Sequence, residues 1–205
     1  MTWPSLFNRK TAPEREPAPE GENFASEDLV WADLLAEARE GAYLKDSPIH
    51  GEIHWRAVAA IGFNLALLRP EKKISRKFIL AFAMMHDCRR FEEDMDPGHG
   101  ARAADLSQKS NTLHSIIRQD DIGDFSDACM LHDKGCVDLT NHNIGACFDA
   151  DRYALVRLDI QPRQTFMSLE LTEEEHERMI NDARRLSRMP PTWERLVGVL
   201  NGLCH

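Results

Sequence analysis

Apolar side chains recur every three or four residues along most of this 205-residue sequence, and that spacing limits the folds open to it. Ile53, Val58, Ile61 and Leu65 show the pattern in the segment from about residue 51 to residue 68. Side chains at these intervals lie on one face of an α-helix. No stretch alternates apolar and polar side chains for long enough to indicate a β-strand. The sequence therefore predicts an all-α fold.

Eight further helices are predicted from the same spacing and from residues that typically begin or end helices. The segment from Ile74 to His86 is apolar almost all round, which predicts the central buried helix of the fold. Thr172 to Glu175 forms a capping box, so a helix is expected from there to about Ser187. The remaining segments are residues 26–40, the stretch after Pro97, and residues 111–118, 126–133, 144–157 and 193–203.

Composition divides the chain into three parts. Residues 1–25 contain four of the ten prolines and little apolar periodicity, which predicts a flexible tail. Residues 26–171 are predicted to form one helical domain. Residues 172–205 are predicted to add helices packed on that domain, which either cover its core or form the surface of a homo-oligomer.

Charge and hydropathy exclude several classes of protein. Asp and Glu number 34 against 25 Lys and Arg, and the net charge of -9 disfavours broad binding to nucleic acid or anionic membranes. A local basic pocket for one small anion is still allowed. No apolar run approaches the ~18 residues of a membrane span, and the first residues lack the apolar core of a secretory signal. Five cysteines without a CxxC pair predict free thiols in a cytoplasmic protein.

Histidines and aspartates provide the candidate chemistry. A carboxylate within an apolar helix is costly to bury unless a partner satisfies its charge, and a metal ion could satisfy several such groups at once. Imidazole and carboxylate ligands without a thiolate cluster favour Mn, Fe, Co, Ni or Zn, with Mg as a further option. In a helical bundle, side chains from different helices project into one core and can share an ion. The candidate ligands are His54, His86, Asp87, His99, His132, Asp149 and Asp151.

The order of these residues resembles that of a known family. His54, then His86-Asp87, then Asp151 are similar to the H…HD…D signature of the HD-domain superfamily of metal-dependent phosphohydrolases. The segment from His50 to Val58 resembles the family's first histidine helix, and Asp149-Ala-Asp151 resembles the helix that carries its last aspartate. The resemblance covers about residues 48–160 and is closest to a little-characterised bacterial-type subgroup. It implies an HD-domain-like helical bundle.

The resemblance also implies which residues bind a first metal ion, namely His54, His86, Asp87 and Asp151. Asp149 competes with Asp151 for the last position. Residues two apart on a helix point to nearly opposite faces, so only one of the two aspartates should face the metal. The family pattern favours Asp151.

Two further histidines imply a second ion. His99 follows Asp96-Pro-Gly, and both it and His132 resemble the extra histidines of two-metal family members. They could instead bind the phosphate of the substrate, and His99 could be an ordinary residue of the loop before its helix. If His99 and His132 are both metal ligands, Asp87 could bridge two ions. One or two divalent metal ions are therefore expected per chain.

The reaction implied by the resemblance is hydrolysis of a phosphate ester of a small metabolite or nucleotide. A metal lowers the pKa of a bound water toward neutrality, and the developing negative charge needs a cation as well. Arg90 lies three residues after Asp87, where many family members carry a lysine, so Asp87 and Arg90 are the predicted catalytic residues. Arg89 is the alternative candidate for the catalytic role of Arg90. Both arginines could instead neutralise the acidic run at residues 92–96.

Two other functions are compatible with the same residues. Some HD-like proteins are di-iron oxygenases, and a third hypothesis is a domain without catalysis that binds a nucleotide or a protein partner. The intact set of ligand types argues against that third hypothesis. Six residues would suffice to bind two irons: His54, His86, Asp87, His99, His132 and Asp151.

Overall fold

The computed structural model describes residues 24–202, and this part of the chain is all-helical, with nine α-helices and no strand. The all-α prediction is confirmed. Residues 1–23 of the predicted tail (residues 1–25) lie outside the described residues. The predicted end of the last helix, at residue 203, also lies outside them. The helices are α1 Leu29–Arg39, α2 Glu52–Leu68, α3 Arg76–Met85, α4 His99–Lys109, α5 Asn111–Ile116, α6 Ile122–Leu131, α7 His142–Ala154, α8 Glu173–Arg188 and α9 Trp193–Leu200.

Helix α3 lies at the centre of the fold. Every residue from Phe78 to Met85 is buried, which confirms the predicted central helix. Helix α2 packs along α3, and the two approach closely at Gly62, where an added Cβ atom would lie 2.5 Å from Ile79 Cγ2. Helices α7 and α8 contact α2, and α9 contacts both α2 and α3. The core therefore forms around α2 and α3.

Helices α4 and α6 pack against each other, and a glycine sets how close they come. A Cβ atom added at Gly100 would lie 2.6 Å from the carbonyl oxygen of Cys129, so a larger residue there would push the helices apart. Gly100 directly follows His99 at the start of α4, and Cys129 lies three residues before His132, which caps the end of α6. This close approach brings the two histidines together.

Two helices begin earlier than the sequence pattern predicts. Helix α6 starts at Ile122 rather than at residue 126, because Ile122 and Phe125 are buried and extend the apolar face by one turn. Helix α7 starts at residue 142 rather than 144, because the Asn141 side chain accepts hydrogen bonds from the amides of Asn143 and Ile144. Its α-helical part ends at Ala154, and residues Leu155–Leu158 continue it as a 3₁₀ helix.

The capping box at the start of α8 is confirmed. The Thr172 hydroxyl accepts a hydrogen bond from the Glu175 amide at 3.2 Å, and the Glu175 carboxylate accepts one from the Thr172 amide at 2.8 Å. The buried face of α8 contacts α2 and α7, and its charged residues lie on the opposite face.

Two findings bear on the environment of the protein. Within residues 24–202, no helix combines the length and the apolar character needed to cross a membrane. The four cysteines in that range are free thiols, and three of them are buried. Burial raises the pKa of the Cys88 thiol to about 12, so this neighbour of the candidate site is an uncharged packing residue at neutral pH.

Candidate metal centre

Five helices contribute side chains to one buried cluster around Asp87. The aspartate follows directly after α3 and is 5% exposed, which is rare for a carboxylate without a charged or metal partner. Six of the seven candidate ligands from the sequence lie in this cluster. They are His54 from the first turn of α2, His86 and Asp87 from the end of α3, His99 from the start of α4, His132 from the end of α6, and Asp151 from α7.

Backbone carbonyls set the orientation of three of the histidines. Nδ1 of His86 lies 3.2 Å from the carbonyl oxygens of both Phe82 and Ala83. Nδ1 of His99 lies 2.5 Å from the Asp96 carbonyl, and Nδ1 of His132 lies 2.7 Å from the carbonyl three residues before it. A carbonyl oxygen only accepts, so each Nδ1 carries the proton and donates. When such an imidazole is neutral, its Nε2 atom has no proton and offers a free lone pair, as metal-binding histidines require.

The first half of the cluster is formed by His54, His86, Asp87 and Asp151. The Nε2 atoms of His54 and His86 lie 3.2 Å apart. Oδ1 of Asp151 lies 3.2 Å from Nε2 of His54 and 3.9 Å from Nε2 of His86. Oδ2 of Asp87 lies 3.6 Å and 3.8 Å from the same two nitrogens. Two histidines and two carboxylates thus point at a common position.

The second half uses the other oxygen of the same aspartate. Oδ1 of Asp87 lies 3.2 Å from Nε2 of His99 and 3.6 Å from Nε2 of His132. This oxygen is buried and accepts no well-directed hydrogen bond from the described residues. The two Nε2 atoms lie 2.9 Å apart. Asp87 therefore presents one oxygen to each pair of histidines.

These two halves fit divalent metal ions. Each half contains two histidines and the shared carboxylate of Asp87, with donor atoms close enough to hold an ion, and these five residues are buried. Because Nδ1 of each ring faces a carbonyl, the Nε2 atoms of His99 and His132 need a proton or a metal cation between them. Oδ1 of Asp87, which accepts no well-directed hydrogen bond from the described residues, is a suitable ligand atom for the same cation. The donor set is nitrogen and oxygen only, as expected for the metals that the sequence suggested.

The protonation states of Asp87, Asp151 and His86 suit metal binding, whereas for His132 burial is outweighed by interactions with Asp87 and Asp151, which raise its pKa. Burial opposes the charged form of Asp87, but attraction to His86 and interactions with the other histidines outweigh it and hold the pKa well below its ordinary value. The pKa of Asp151 is lowered in the same way, chiefly by the hydrogen bond and attraction of His54 acting against burial. Burial lowers the pKa of His86 to about 3. Both carboxylates are therefore ionised, and His86 is neutral, at pH 7.

Asp149 faces away from the cluster. Its two carboxylate oxygens accept hydrogen bonds from the backbone amides of Ser168 and Leu169, each at 2.7 Å. Burial raises the pKa of Asp149 to about 6. Of the two aspartates that competed in the sequence, Asp151 is the one that the fold places beside His54. Asp149 instead fastens the chain segment that precedes α8.

Arg90 and Arg89 have different surroundings. Nη1 of Arg90 lies 3.8 Å from Oδ1 of Asp87 and 3.3 Å from each ring nitrogen of His99, so this guanidinium borders the cluster. Its other nitrogens donate to the carbonyls of Glu92 and Asp94, not to the carboxylates of the acidic run. Arg89 points elsewhere and donates to backbone carbonyls at residues 37, 38 and 88. Arg89 is therefore not placed to substitute for Arg90.

Two residues at the site were not predicted from the sequence. Nδ1 of His50 lies 3.3 Å from Oδ2 of Asp87, and its Nε2 lies 3.1 Å from the Glu93 carbonyl. It lies four residues before His54, in the turn that precedes α2, and this proximity is a signal that could have identified it. Arg157 lies in the 3₁₀ turn after α7, where its Nε and Nη1 donate to the carbonyls of residues 49 and 154 at 2.9 and 2.8 Å. Nothing in its sequence context marks it.

A cavity of about 560 Å³ opens beside the cluster. The metal-centre side is lined by histidines and aspartates, and four arginines also reach the cavity: Arg90, Arg152, Arg157 and Arg163. Arg152 has a carboxylate partner outside the cluster, because its Nη1 lies 3.7 Å from Oδ1 of Asp149. The lining of the cavity thus combines four guanidinium groups with three carboxylates, those of Asp87, Asp133 and Asp151.

Comparisons with protein-family models, with curated proteins and with solved structures give no match to this chain.

Proposed function

We propose that this protein is a metal-dependent phosphohydrolase that cleaves a phosphate ester of a small metabolite or nucleotide. The observation that carries the proposal is the position of Asp87. Its two oxygens face two histidine pairs, and arginines border the same cavity. The likeness of His54, His86-Asp87 and Asp151 to the HD-domain signature supports the same reaction class.

The ligands for a first ion are His54, His86, Asp87 and Asp151, and a second ion would use Asp87 with His99 and His132. When bound, such an ion lowers the pKa of a water and polarises the phosphoryl oxygens. The chain contributes ligand atoms whose direction is set before binding, because backbone carbonyls hold Nδ1 of three of these histidines.

Arg90 and Arg157 are the phosphate-binding residues in this proposal. Both reach the cavity, and both are held in place by backbone carbonyls rather than by carboxylates within hydrogen-bond distance. Guanidinium groups that are fixed in this way keep positive charge for a ligand and lose little entropy when they bind one. They would orient the phosphoryl group and stabilise the negative charge that develops on its oxygens.

One observation favours a second candidate, an oxygenase with two irons. Each half of the cluster contains two histidines and the shared carboxylate of Asp87, the donor set of non-haem iron oxygenases, and Asp151 adds a second carboxylate to the first half. The arginines in the cavity favour the phosphohydrolase, since oxygen activation does not by itself need an anion pocket. Oxygen uptake by protein loaded with Fe²⁺ without air distinguishes the two candidates.

The test measures metal content and phosphate release together. Purified protein is freed of metal and reloaded separately with Mn²⁺, Fe²⁺, Co²⁺, Ni²⁺, Zn²⁺ or Mg²⁺. It is then assayed on 4-nitrophenyl phosphate beside Asp87→Asn and, as a matched control, His114→Ala on α5. Hydrolysis that needs metal, is lost in Asp87→Asn and persists in His114→Ala supports the proposal. Metal-loaded protein that binds the ester but releases no phosphate with any ion would overturn it.

A further inference from the structure

We infer that the cavity holds the organic part of its substrate on an apolar wall, so that the preferred substrates are phosphate esters with a flat, largely apolar group. This inference rests on the proposed function. The apolar wall consists of Leu155, Ile160, Pro162, Phe166 and Met167, all of which line the cavity. The wall comes from one stretch of chain between α7 and α8, and four of the five residues lie outside the part that resembles the HD family or at its edge.

Two side chains of the wall are exposed although they are apolar. Ile160 is 50% exposed and Phe166 is 51% exposed, and both border the cavity. Pro162 and Met167, which line the same cavity, are buried. Exposed apolar side chains that line a polar cavity form a surface that a ligand can cover. Contact with water is unfavourable for this apolar surface, whereas an aromatic or aliphatic group of a ligand would bury it.

The backbone of the wall is held in place before any ligand arrives. Nη1 of Arg152 donates to the Phe166 carbonyl at 2.8 Å, and the Gln164 side chain donates to the Leu171 carbonyl. Asp149 accepts the amides of the two residues that follow Met167. The Phe166 ring is therefore exposed on a fixed support. A preformed surface of this kind binds a flat group without first having to be ordered.

The cavity thus combines two kinds of surface. The metal centre with Arg90 and Arg157 attracts an anion, and the apolar wall lies in the same cavity of about 560 Å³. A compact polar ester would satisfy only the charged part and leave Ile160 and Phe166 in water. An ester with an aromatic or aliphatic group would use both parts, and the apolar wall would then decide which phosphate esters are accepted.

The experiment compares two phosphate esters that differ in their organic group. Metal-loaded parent protein, Phe166→Ala and Ile160→Ala are assayed on 1-naphthyl phosphate and on glycerol 2-phosphate. Met95→Ala serves as the control, because Met95 is apolar and exposed but does not line the cavity. The parent is expected to show a KM about tenfold lower for the naphthyl ester. Phe166→Ala should remove most of that preference by raising the KM of the naphthyl ester much more than the KM of glycerol 2-phosphate, and Met95→Ala should change neither KM.

The outcomes separate this inference from the proposed function. Equal KM values for the two esters in the parent, or equal losses on both esters in Phe166→Ala, would overturn the apolar wall as a subsite while leaving the hydrolase intact. If neither ester is hydrolysed, the proposed function fails, and calorimetric binding of the same two esters decides about the wall. If the parent binds the naphthyl ester more tightly and Phe166→Ala loses this difference, the apolar wall is a subsite. If the parent binds both esters equally, it is not.

Discussion

The Nε2 atoms of His99 and His132 lie 2.9 Å apart, while the Nδ1 atom of each ring is bound to a backbone carbonyl. The arrangement depends on Gly100, which lets α4 approach α6. Two neutral imidazoles held in this way turn lone pairs toward each other. A proton or a metal ion between the rings removes that conflict, and Oδ1 of Asp87, 3.2 Å from the His99 nitrogen, completes the set of ligands.

This relationship predicts that the two histidines serve an ion of their own. Loading with Mn²⁺ or Co²⁺ should give two ions per chain in the parent and one in His132→Ala, because the first half of the cluster, which includes His54, His86 and Asp87, stays complete. His114→Ala should keep two. The measurement is metal content by mass spectrometry after removal of loosely bound ions. Two ions in His132→Ala would contradict the assignment.

Asp87→Asn should weaken both sites, since each histidine pair shares this one carboxylate. The change keeps the size of the side chain but removes its charge. Because a ligand that binds only the folded state raises its stability, added metal should raise the Tm of the parent but not that of Asp87→Asn. Thermal unfolding is followed by circular dichroism with and without metal. An equal rise in both proteins would show that the ions bind elsewhere.

The two aspartates of α7 should behave differently. Asp151→Asn is expected to lose metal, because Oδ1 of Asp151 faces the Nε2 atoms of His54 and His86. Asp149→Asn should retain metal but lose about 1–3 kcal/mol of stability, because one of the two amides at residues 168 and 169 loses a charged acceptor. Urea denaturation and metal content, measured on both variants, check the pair of predictions. The reverse pattern would identify Asp149 as the ligand.

Arg157→Gln should weaken inhibition by inorganic phosphate by about 10- to 100-fold, the effect of losing a hydrogen bond to a charged group. Metal content should not change, because the side chain of Arg157 contacts carbonyls and the cavity rather than the ligand pairs. In Arg157→Lys, which keeps the charge, inhibition by phosphate should weaken less. Arg118→Gln, an exposed site outside the cavity, is the control for net charge. Unchanged inhibition in Arg157→Gln would remove this residue from the proposal.

The ion pair between Arg69 and Glu175 predicts a dependence of stability on pH. The hydrogen bond from Arg69, at 2.6 Å, lowers the pKa of Glu175 from 4.5 to about 2. A carboxyl whose pKa is lower in the folded state stabilises the protein above its unfolded pKa, and this contribution is lost as the pH falls from about 4.5 toward 2. Glu175→Gln, which can keep the capping box, should cost about 1 kcal/mol at pH 7 and progressively less below pH 4.5. Urea denaturation at pH 7 and pH 3 compares the two proteins. A deficit that stays constant with pH would show that the ion pair contributes nothing.

The helices could be predicted well because their signals are local. The spacing of apolar residues in α2 and α3, and the capping box at Thr172, depend on neighbours within a few positions along the chain. The start of α6 was missed because Ile122 joins the core through tertiary packing, which no pattern within its own segment shows.

The sequence by itself determined the helical class of the fold and, through the order of His54, His86-Asp87 and Asp151, the residues worth testing as ligands. Only the tertiary structure placed Asp151 beside His54 and Asp149 against the backbone amide of Ser168, and only it brought Arg157 to the same cavity. The physical reason is distance along the chain. A helix forms from contacts three or four residues apart, whereas the site forms where helices far apart in sequence bring their ends together.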